Sequence, residues 1–355
     1  MNWWNPAQRR LFWIKLFNWE YWPTMAFYWP MFLYGPLLAL RYRHVCFFSA
    51  ANPGMYLSGL GLESKFDTLK MIPERVRPKS VLVPHGSPLS EIKDWLAEAG
   101  MGFPMIAKPD LGYRGLLVTR IPSEEDLVAF LRSYPIDFIL QEFLDYPEEV
   151  GVFYCRMPGQ DRGDIISLTL KKFLAVTGDG RSTVLDLVNQ NPRALLQMDR
   201  LQKTHSQVLQ RIPNQGEQVP LGIIGNHSKG TLFINGTPLA DERLARVFDE
   251  VTKPMAGFYY GRFDIKCQSL DLLKEGKAFK VIELNGIGSE PTHIYDQTRM
   301  TYPEALWTIL RHWTLVAKVS STNHAAGIPY MPAAQVLRAL AGLKAYHRKL
   351  KPHLK

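Results

Sequence analysis

Two short stretches decide how this chain is read: Arg262-Phe263-Asp264-Ile265-Lys266 and Val281-Ile282-Glu283-Leu284-Asn285. Side chains alternate across a strand, so the first places Arg262, Asp264 and Lys266 on one face and Phe263 and Ile265 on the other. The second places Glu283 and Asn285 opposite Ile282 and Leu284 by the same period. If the two strands pair across the 269–277 connection, Asp264, Glu283 and Asn285 converge as oxygen ligands. Such a set suits Mg2+, a hard cation that keeps several waters and takes further ligands from phosphates.

Upstream, Met105-Ile-Ala-Lys108 reads as an apolar strand ending in a lysine. It is followed by Pro109-Asp-Leu-Gly112-Tyr-Arg-Gly115 and a second apolar run. A strand, a glycine-bearing turn and a strand can cover phosphates as a lid, with backbone amides and Lys108 supplying positive potential. Ile139-Leu140-Gln141-Glu142-Phe143 is an apolar strand turning polar at its end, with Glu149-Val-Gly-Val seven residues after Glu142. One such edge can read an adenine amino group, and a second carboxylate can hold ribose hydroxyls.

Apolar runs predict strands over 45–48, 80–83, 105–108, 116–121, 138–142, 149–155, 165–170, 257–267 and 278–284. Amphipathic stretches predict helices over 89–98, 124–132, 183–189, 193–209, 241–255 and 303–315. Elements mixed in this order imply an α+β or α/β body, α+β being the class expected here. A chain of 355 residues, 46% hydrophobic and 21% charged, is neither disordered nor polytopic. Cys46, Cys155 and Cys267 are scattered, which excludes a disulfide scaffold and a zinc site and fits a reducing compartment. Cys155 and Cys267 read as packing residues of strands.

The net charge of +9 sits at the ends. Residues 1–45 carry +4, residues 333–355 carry +6, and the stretch between them is left at −1. A near-neutral body argues against a nucleic-acid partner. The first end also holds Trp3, Trp4, Trp13, Trp19, Trp22 and Trp29, six of the nine tryptophans, and tryptophan favours the membrane interface. Twenty residues from Tyr21 to Leu40 carry no formal charge, but Pro23, Pro30, Gly35 and Pro36 break the run and basic residues flank both sides. That pattern predicts a monotopic segment that dips or lies in the interface, the alternative being a helical hairpin packed on the body. The tail from Ala333 predicts a basic amphipathic helix with Val336, Leu337, Leu340, Leu343 and Tyr346 on its apolar face. It would sit on anionic lipid or remain solvated.

The order of elements resembles the ATP-grasp superfamily, and within it the D-alanine–D-alanine ligase-like carboxylate–amine ligases. The resemblance rests on Phe103-Pro-Met-Ile-Ala-Lys108-Pro, Leu140-Gln-Glu-Phe, Glu149-Val-Gly-Val, Val176-Thr-Gly-Asp-Gly-Arg-Ser-Thr183, Gly225-Asn-His-Ser-Lys-Gly230, Gly261-Arg-Phe-Asp264 and Ile282-Glu-Leu-Asn285, over about residues 60 to 300. It implies two subdomains clasping ATP, with a division into 1–45 (membrane-associated), 46–100 (short N-terminal subdomain), 101–165 (small ATP-binding subdomain), 166–320 (large subdomain with the metal site) and 321–355 (basic tail).

The same resemblance assigns Lys108 to phosphate, Gln141, Glu142 and the backbone of Phe143 to the adenine edge, and Glu149 to ribose. It assigns Asp264, Glu283 and Asn285 to one or two Mg2+ ions, and Arg262 to the transferring phosphoryl and the later tetrahedral intermediate. Lys70, after Phe66-Asp67, resembles the earlier nucleotide lysine. Lys171 or Lys172 resembles the second phosphate lysine, and the motif does not choose between them.

The implied activity is ATP-dependent joining of a carboxylate and an amine through an acyl phosphate. The substrates would be amphiphilic or lipid-linked, and the place the cytoplasmic face of the membrane. A phosphotransferase on the same fold and a non-catalytic adaptor are the alternatives. At Gly286-Ile-Gly-Ser-Glu-Pro-Thr-His293 the chain departs from the ligase pattern, so no acceptor-binding residue carries over. Gly225–Gly230 is either a substrate or phosphate loop offering amides and Lys229, or a plain hairpin. His227 and His293 read as hydrogen-bonding wall residues.

Overall fold

The computed structural model describes residues 6–61, 63–111, 117–222 and 225–350. In chain order the strands are β1 (Ser80–Val83), β2 (Met105–Pro109), β3 (Thr119–Ile121), β4 (Phe138–Glu142), β5 (Glu148–Cys155), β6 (Asp164–Lys172), β7 (Ala175–Thr177), β8 (Gln218–Pro220), β9 (Leu232–Asn235), β10 (Tyr260–Cys267) and β11 (Phe279–Asn285). They form an antiparallel four-stranded sheet in the order β1-β4-β2-β3, a five-stranded one in the order β11-β10-β5-β6-β9, and the pair β7-β8. The architecture is mixed helix and sheet. These sheets group strands across the boundaries drawn from the sequence, since β1 joins the four-stranded sheet and β5 the five-stranded one.

The smaller sheet is covered on one face by helices Leu89–Glu98 and Glu124–Leu131, which bury Ile92, Leu96 and Leu127 against Val83, Met105, Ala107 and Leu140. Ser123 starts the second helix by accepting a hydrogen bond from the Asp126 amide, satisfying a donor the helix end leaves open. In the larger sheet, Phe263, Ile265 and Val281 face the helix Glu242–Thr252, whose Leu244, Phe248 and Val251 recur at helical spacing. The opposite face carries Arg262, Asp264 and Glu149. Toward Tyr260 that face is closed by the helix Tyr302–Ala325 through Phe153, Val316 and Val319. Farther along it opens into a cleft. A third cluster, between β7-β8 and the short helices of residues 184–209, forms a side lobe.

Two sequence-based expectations are corrected. Residues 45–48 are turn, not strand: Cys46 and Phe47 are buried in separate clusters, so their apolarity reflects burial without a strand neighbour. The helix expected over 193–209 is three short ones, Pro192–Leu195, Met198–Thr204 and Ser206–Leu209, broken where Gln197 and His205 leave helical dihedrals. Thr204, His205 and Ser206 at the second break are weak helix formers, so local propensity agrees there with the turn of the lobe.

The N-terminal segment packs on the body by one side. Phe27 and Met31 are buried against Ile294, Ala305 and Ile309, and Leu38 against Phe47 and Ala317. Its other side leaves Phe12, Trp13, Phe17, Trp29, Leu33 and Leu40 exposed. Among the described residues no helix is long and apolar enough to cross a membrane. The tail helix Ala333–Leu350 turns part of its apolar face inward, with Val336 buried against Cys46 and Leu57 and the Tyr346 hydroxyl donating to the Leu111 carbonyl at 3.0 Å. Leu337 and Leu340 of the same face stay exposed.

Candidate active site

A cleft of about 880 Å3 lies between the two larger sheets. This is within the size of pockets that enclose nucleotides and similar ligands. Its floor is the polar face of β11, β10, β5 and β6. The register pairs Asp264 with Glu283, Arg262 with Asn285, and Glu149 with Lys171. Asp264 Oδ2 and Asn285 Nδ2 are 3.3 Å apart, so the oxygen-bearing groups picked from strand alternation stand together.

The ladder slips at one point. Asp264 pairs with Glu283 but Ile265 pairs with Val281, leaving Ile282 as an extra residue. Such a bulge frees a backbone group from the ladder, and here the Ile282 carbonyl accepts Lys108 Nζ at 2.8 Å. Lys108 also donates to Gln141 Oε1 at 3.1 Å, and Gln141 in turn donates to Ser80 Oγ at 3.1 Å. The ammonium on β2 thereby ties the smaller sheet to the floor. Burial pulls the Lys108 ammonium down to about 8, although the Glu283 charge opposes it.

Lys171 is enclosed between two carboxylates. Its Nζ lies 2.8 Å from Glu149 Oε1 and 2.9 Å from Asp264 Oδ1, and all three side chains are 6% exposed. Arg262 donates to Asp264 Oδ2 at 3.2 Å and to the Glu290 carbonyl at 2.8 Å, while its Nε is buried with no partner among the described residues. Burial alone would raise the Asp264 carboxyl, but Arg262 and Lys171 overcome it and hold it at about 2. Glu283 is likewise lowered, against burial, chiefly by Lys65. A row of cations interleaved with carboxylates is a surface built to take a polyanion and a divalent ion together.

Lys65 is a member that the sequence reading passed over. It begins the helix Lys65–Met71, capped by Ser64, and its ammonium bonds the Glu283 carboxylate. Lys70 at the other end of that helix is exposed, stands 4.3 Å over the Phe66 ring and does not line the cleft. Lys172 is also exposed and lies outside the cleft, so Lys171 is the one of that pair at the site. Glu142 and Phe143 line the cleft beside Gln141; the Glu142 carboxylate accepts the Lys79 amide at 3.2 Å, and Arg120 covers the Phe143 ring at 4.5 Å. Glycines 112 and 115 of the expected lid lie outside the described residues.

Glu20 is a second unexpected member. It takes Arg193 Nη2 at 2.6 Å and His227 Nε2 at 2.7 Å, and burial, which opposes ionisation, is outweighed by those two partners. The aromatic N-terminal segment is thus a wall of the cleft, with Tyr28 donating to Glu290 Oε1 at 2.7 Å. Gly225 packs so closely that a Cβ there would fall 2.0 Å from Glu149 Oε1. The turn after β11 is pinned by backbone bonds from Ile287 to the Ser58 carbonyl at 3.1 Å and from Gly288 to the Gly59 carbonyl at 2.8 Å. His293 bonds Ser167 and is pushed down to about 4 by burial; it is buried behind the cleft and does not line it. Cys155 and Cys267 are buried in the core, and burial raises both thiols to about 12.

Two carboxylates and one amide oxygen match the donor set that Mg2+ takes when phosphates complete its shell. Among the described residues no cluster of three or more His, Cys, Asp and Glu is placed to hold a metal by itself.

No protein-family profile matches the chain, and no curated protein sequence matches it. Among solved structures it is similar to a bifunctional glutathione synthetase from Pasteurella multocida, at 19% identity and a TM-score of 0.41, over 74% of this chain and 38% of that one. It is similar to D-alanine–D-alanine ligase from Bacillus anthracis at 14% identity and a TM-score of 0.40, over 74% of this chain and 71% of that one. The VanG D-Ala:D-Ser ligase from Enterococcus faecalis matches at 12% identity and a TM-score of 0.40, over 76% of this chain and 64% of that one. The resemblance carried by the sequence motifs therefore recurs among solved structures. At these identities and scores, what the cleft does is argued from its own residues.

Proposed function

We propose that the chain is an ATP-dependent carboxylate–amine ligase working through an acyl phosphate. One observation carries the reading: Lys65, Lys108, Lys171 and Arg262 converge on Asp264, Glu283 and Asn285 in one cleft between two sheets. Asp264, Glu283 and Asn285 would hold Mg2+, which on binding offsets charge on the phosphates. Lys108 and Lys171 bind the phosphates, and Gln141 and Ile282 hold Lys108 in place. A substrate carboxylate oxygen attacks the γ-phosphorus and the bond to ADP breaks. The amine nitrogen then attacks the acyl carbon, and the C–N bond forms as the C–O bond to orthophosphate breaks. An amine entering as ammonium gives up two protons, one to orthophosphate and one to solvent. Arg262, whose Nη2 also faces Asp264, stabilises the oxyanion between these two events by its positive charge.

The reading places the enzyme at the cytoplasmic membrane surface. Supporting it are the exposed aromatic side of the N-terminal helices, the basic residues Arg9, Arg10, Lys15, Arg41 and Arg43 beside it, and free cysteines. The test incubates full-length protein with Mg-ATP, pooled acids and pooled amines, following phosphate release and new amide masses. Phosphate release that requires both substrates and is lost in Asp264→Ala supports a ligase. A stable phosphorylated product with no amine requirement selects a phosphotransferase instead. Co-sedimentation with anionic vesicles tests the location.

A further inference from the structure

A second cavity, of about 840 Å3, lies between the helices Met31–Arg41 and Tyr302–Ala325. It shares Thr24, Tyr28, Leu60, Gly288, Ser289 and Glu290 with the catalytic cleft, so the two spaces adjoin along one strip. At its other end Met25, Phe32 and Val45 are 68%, 52% and 66% exposed, on the apolar side of the N-terminal segment. The apolar cavity therefore extends from that surface to the wall it shares with the cleft, where Glu290 stands.

From these observations we propose that the cavity holds the hydrocarbon chain of an amphiphilic amine, with the amino group at Glu290. The proposal rests on the ligase reading and names the class of its amine substrate.

Three features point to a ligand. First, Gly35 and Pro36 stand inside a helix and line the cavity, although both residue types weaken helices. A Cβ at Gly35 would meet only the Trp313 ring, at an ordinary 3.5 Å, so packing does not demand glycine there. The absent side chain is room left open. Second, His312 lines the cavity at 3% exposure, with Nδ1 2.7 Å from the Tyr260 hydroxyl and Nε2 buried without a partner among the described residues. Orphaned buried polar atoms are rare and costly, so this wall is not packed for the stability of the fold alone. Third, Glu290 accepts from the Tyr28 hydroxyl at 2.7 Å and from Tyr295 at 2.9 Å, both neutral donors. No side-chain ion pair involves Glu290 among the described residues. A carboxylate offers about four acceptor sites, which leaves places for an ammonium beside Arg262, where the acyl carbon would be attacked.

The test is calorimetric titration of the full chain, without ATP, by butylamine, dodecylamine and dodecanoate, each below its aggregation concentration. Dodecylamine is expected to bind once per chain and at least about 100-fold tighter than butylamine, because each buried methylene adds severalfold. Dodecanoate should bind more weakly than dodecylamine. Gly35→Leu and Ala39→Leu, which fill the cavity, should cost dodecylamine at least tenfold, with thermal midpoints reporting whether each variant folds. Equal affinity for the two amines, dodecanoate binding as tightly as dodecylamine, or folded filling variants that bind like the wild type would each overturn the proposal. The chain-length comparison uses wild-type protein and stands even where a variant fails to fold. Dodecylamine binding as expected, with no phosphate released from any acid and amine pair, supports the cavity assignment and sinks the ligase reading. Turnover indifferent to chain length does the reverse.

Discussion

Replacing Lys171 by methionine keeps the stem and removes the charge that stands between Glu149 and Asp264. Lys171 stands 2.8 Å from Glu149 and 2.9 Å from Asp264, with all three side chains 6% exposed. At an effective dielectric constant of about 20, each contact is worth roughly 6 kcal/mol before desolvation. Desolvation of the lysine offsets much of that. Removing one member of a buried ion pair costs about 3–5 kcal/mol, because the other charge stays buried. Asp264 keeps Arg262 at 3.2 Å, whereas Glu149 keeps no ion pair among the described residues, so the lower end, about 3 kcal/mol, applies. For 355 residues, an unfolding entropy of about 2.1 cal/mol/K per residue converts this to a fall of about 4 °C in thermal midpoint. Loss of a charge-assisted phosphate contact, about 1.5–3 kcal/mol, should weaken Mg-ATP binding roughly 10- to 150-fold by calorimetry. Lys172→Met, at an exposed position on the other side of the strand, should move neither quantity. Lys171→Met binding Mg-ATP within about twofold of wild type, or Lys172→Met losing as much, would refute the assignment of phosphate binding to this face of β6.

Lys65→Met should weaken Mg-ATP binding by about tenfold or more, by removing the cation beside Glu283, while Lys70→Met should leave it unchanged; the reverse order in a titration would show that the other end of the helix faces the nucleotide. Because burial brings the Lys108 ammonium down to about 8, the free protein loses that charge as pH rises through this value. ATP affinity should then fall by up to about tenfold per pH unit above pH 8, with about half a proton taken up on binding at pH 8, seen as a buffer-dependent enthalpy; a flat profile from pH 7 to about 9.5 would contradict this. Asn52 is buried, donating to the Ser58 and Tyr260 carbonyls at 3.1 and 2.7 Å and accepting the Tyr259 and Tyr260 amides at 2.9 Å. Asn52→Leu should cost about 3–5 kcal/mol through the backbone groups left unsatisfied, and a loss below about 1 kcal/mol in urea denaturation would show that they find other partners.

The hairpin of β10 and β11 was legible because one face is fully committed. Phe263 and Ile265 are wholly buried, and a period of two then fixes where Arg262 and Asp264 stand. The same rule settles Lys171 against Lys172, but only once β5 is known to lie beside β6 with Glu149 opposite Lys171. Strand pairing is long-range information that no local window contains. Lys65 was obscured differently: at the first turn of a capped helix a lysine looks like a solvated residue, and only the packing of that helix on β11 turns it toward Glu283. Glu20 shows the same limit, as the lone acid of an aromatic segment that gains its meaning from Arg193 and His227, more than 170 residues away. The bulge at Ile282 leaves no trace in composition, since Ile alternates in the sequence as if the ladder were regular.

The stretch from Gly286 to His293 is where the sequence departs from the family it resembles, and it is also where the cleft and the apolar cavity share a wall. Its backbone is fixed on one side by Ser58 and Gly59, so closely that a Cβ on Gly286 would lie 2.4 Å from the Ser58 carbonyl oxygen. On the other side, Arg262 holds the Glu290 carbonyl, and Tyr28 and Tyr295 hold its carboxylate. Tyr28 belongs to the N-terminal segment, so the strip that would choose the acceptor is completed by the same element that carries the exposed apolar surface. A nucleotide-binding floor made from strand register needs nothing from that segment. On the proposed ligase reading acceptor choice does, and that division of labour would account for an order of residues that is recognisable at the floor and not from 286 to 293.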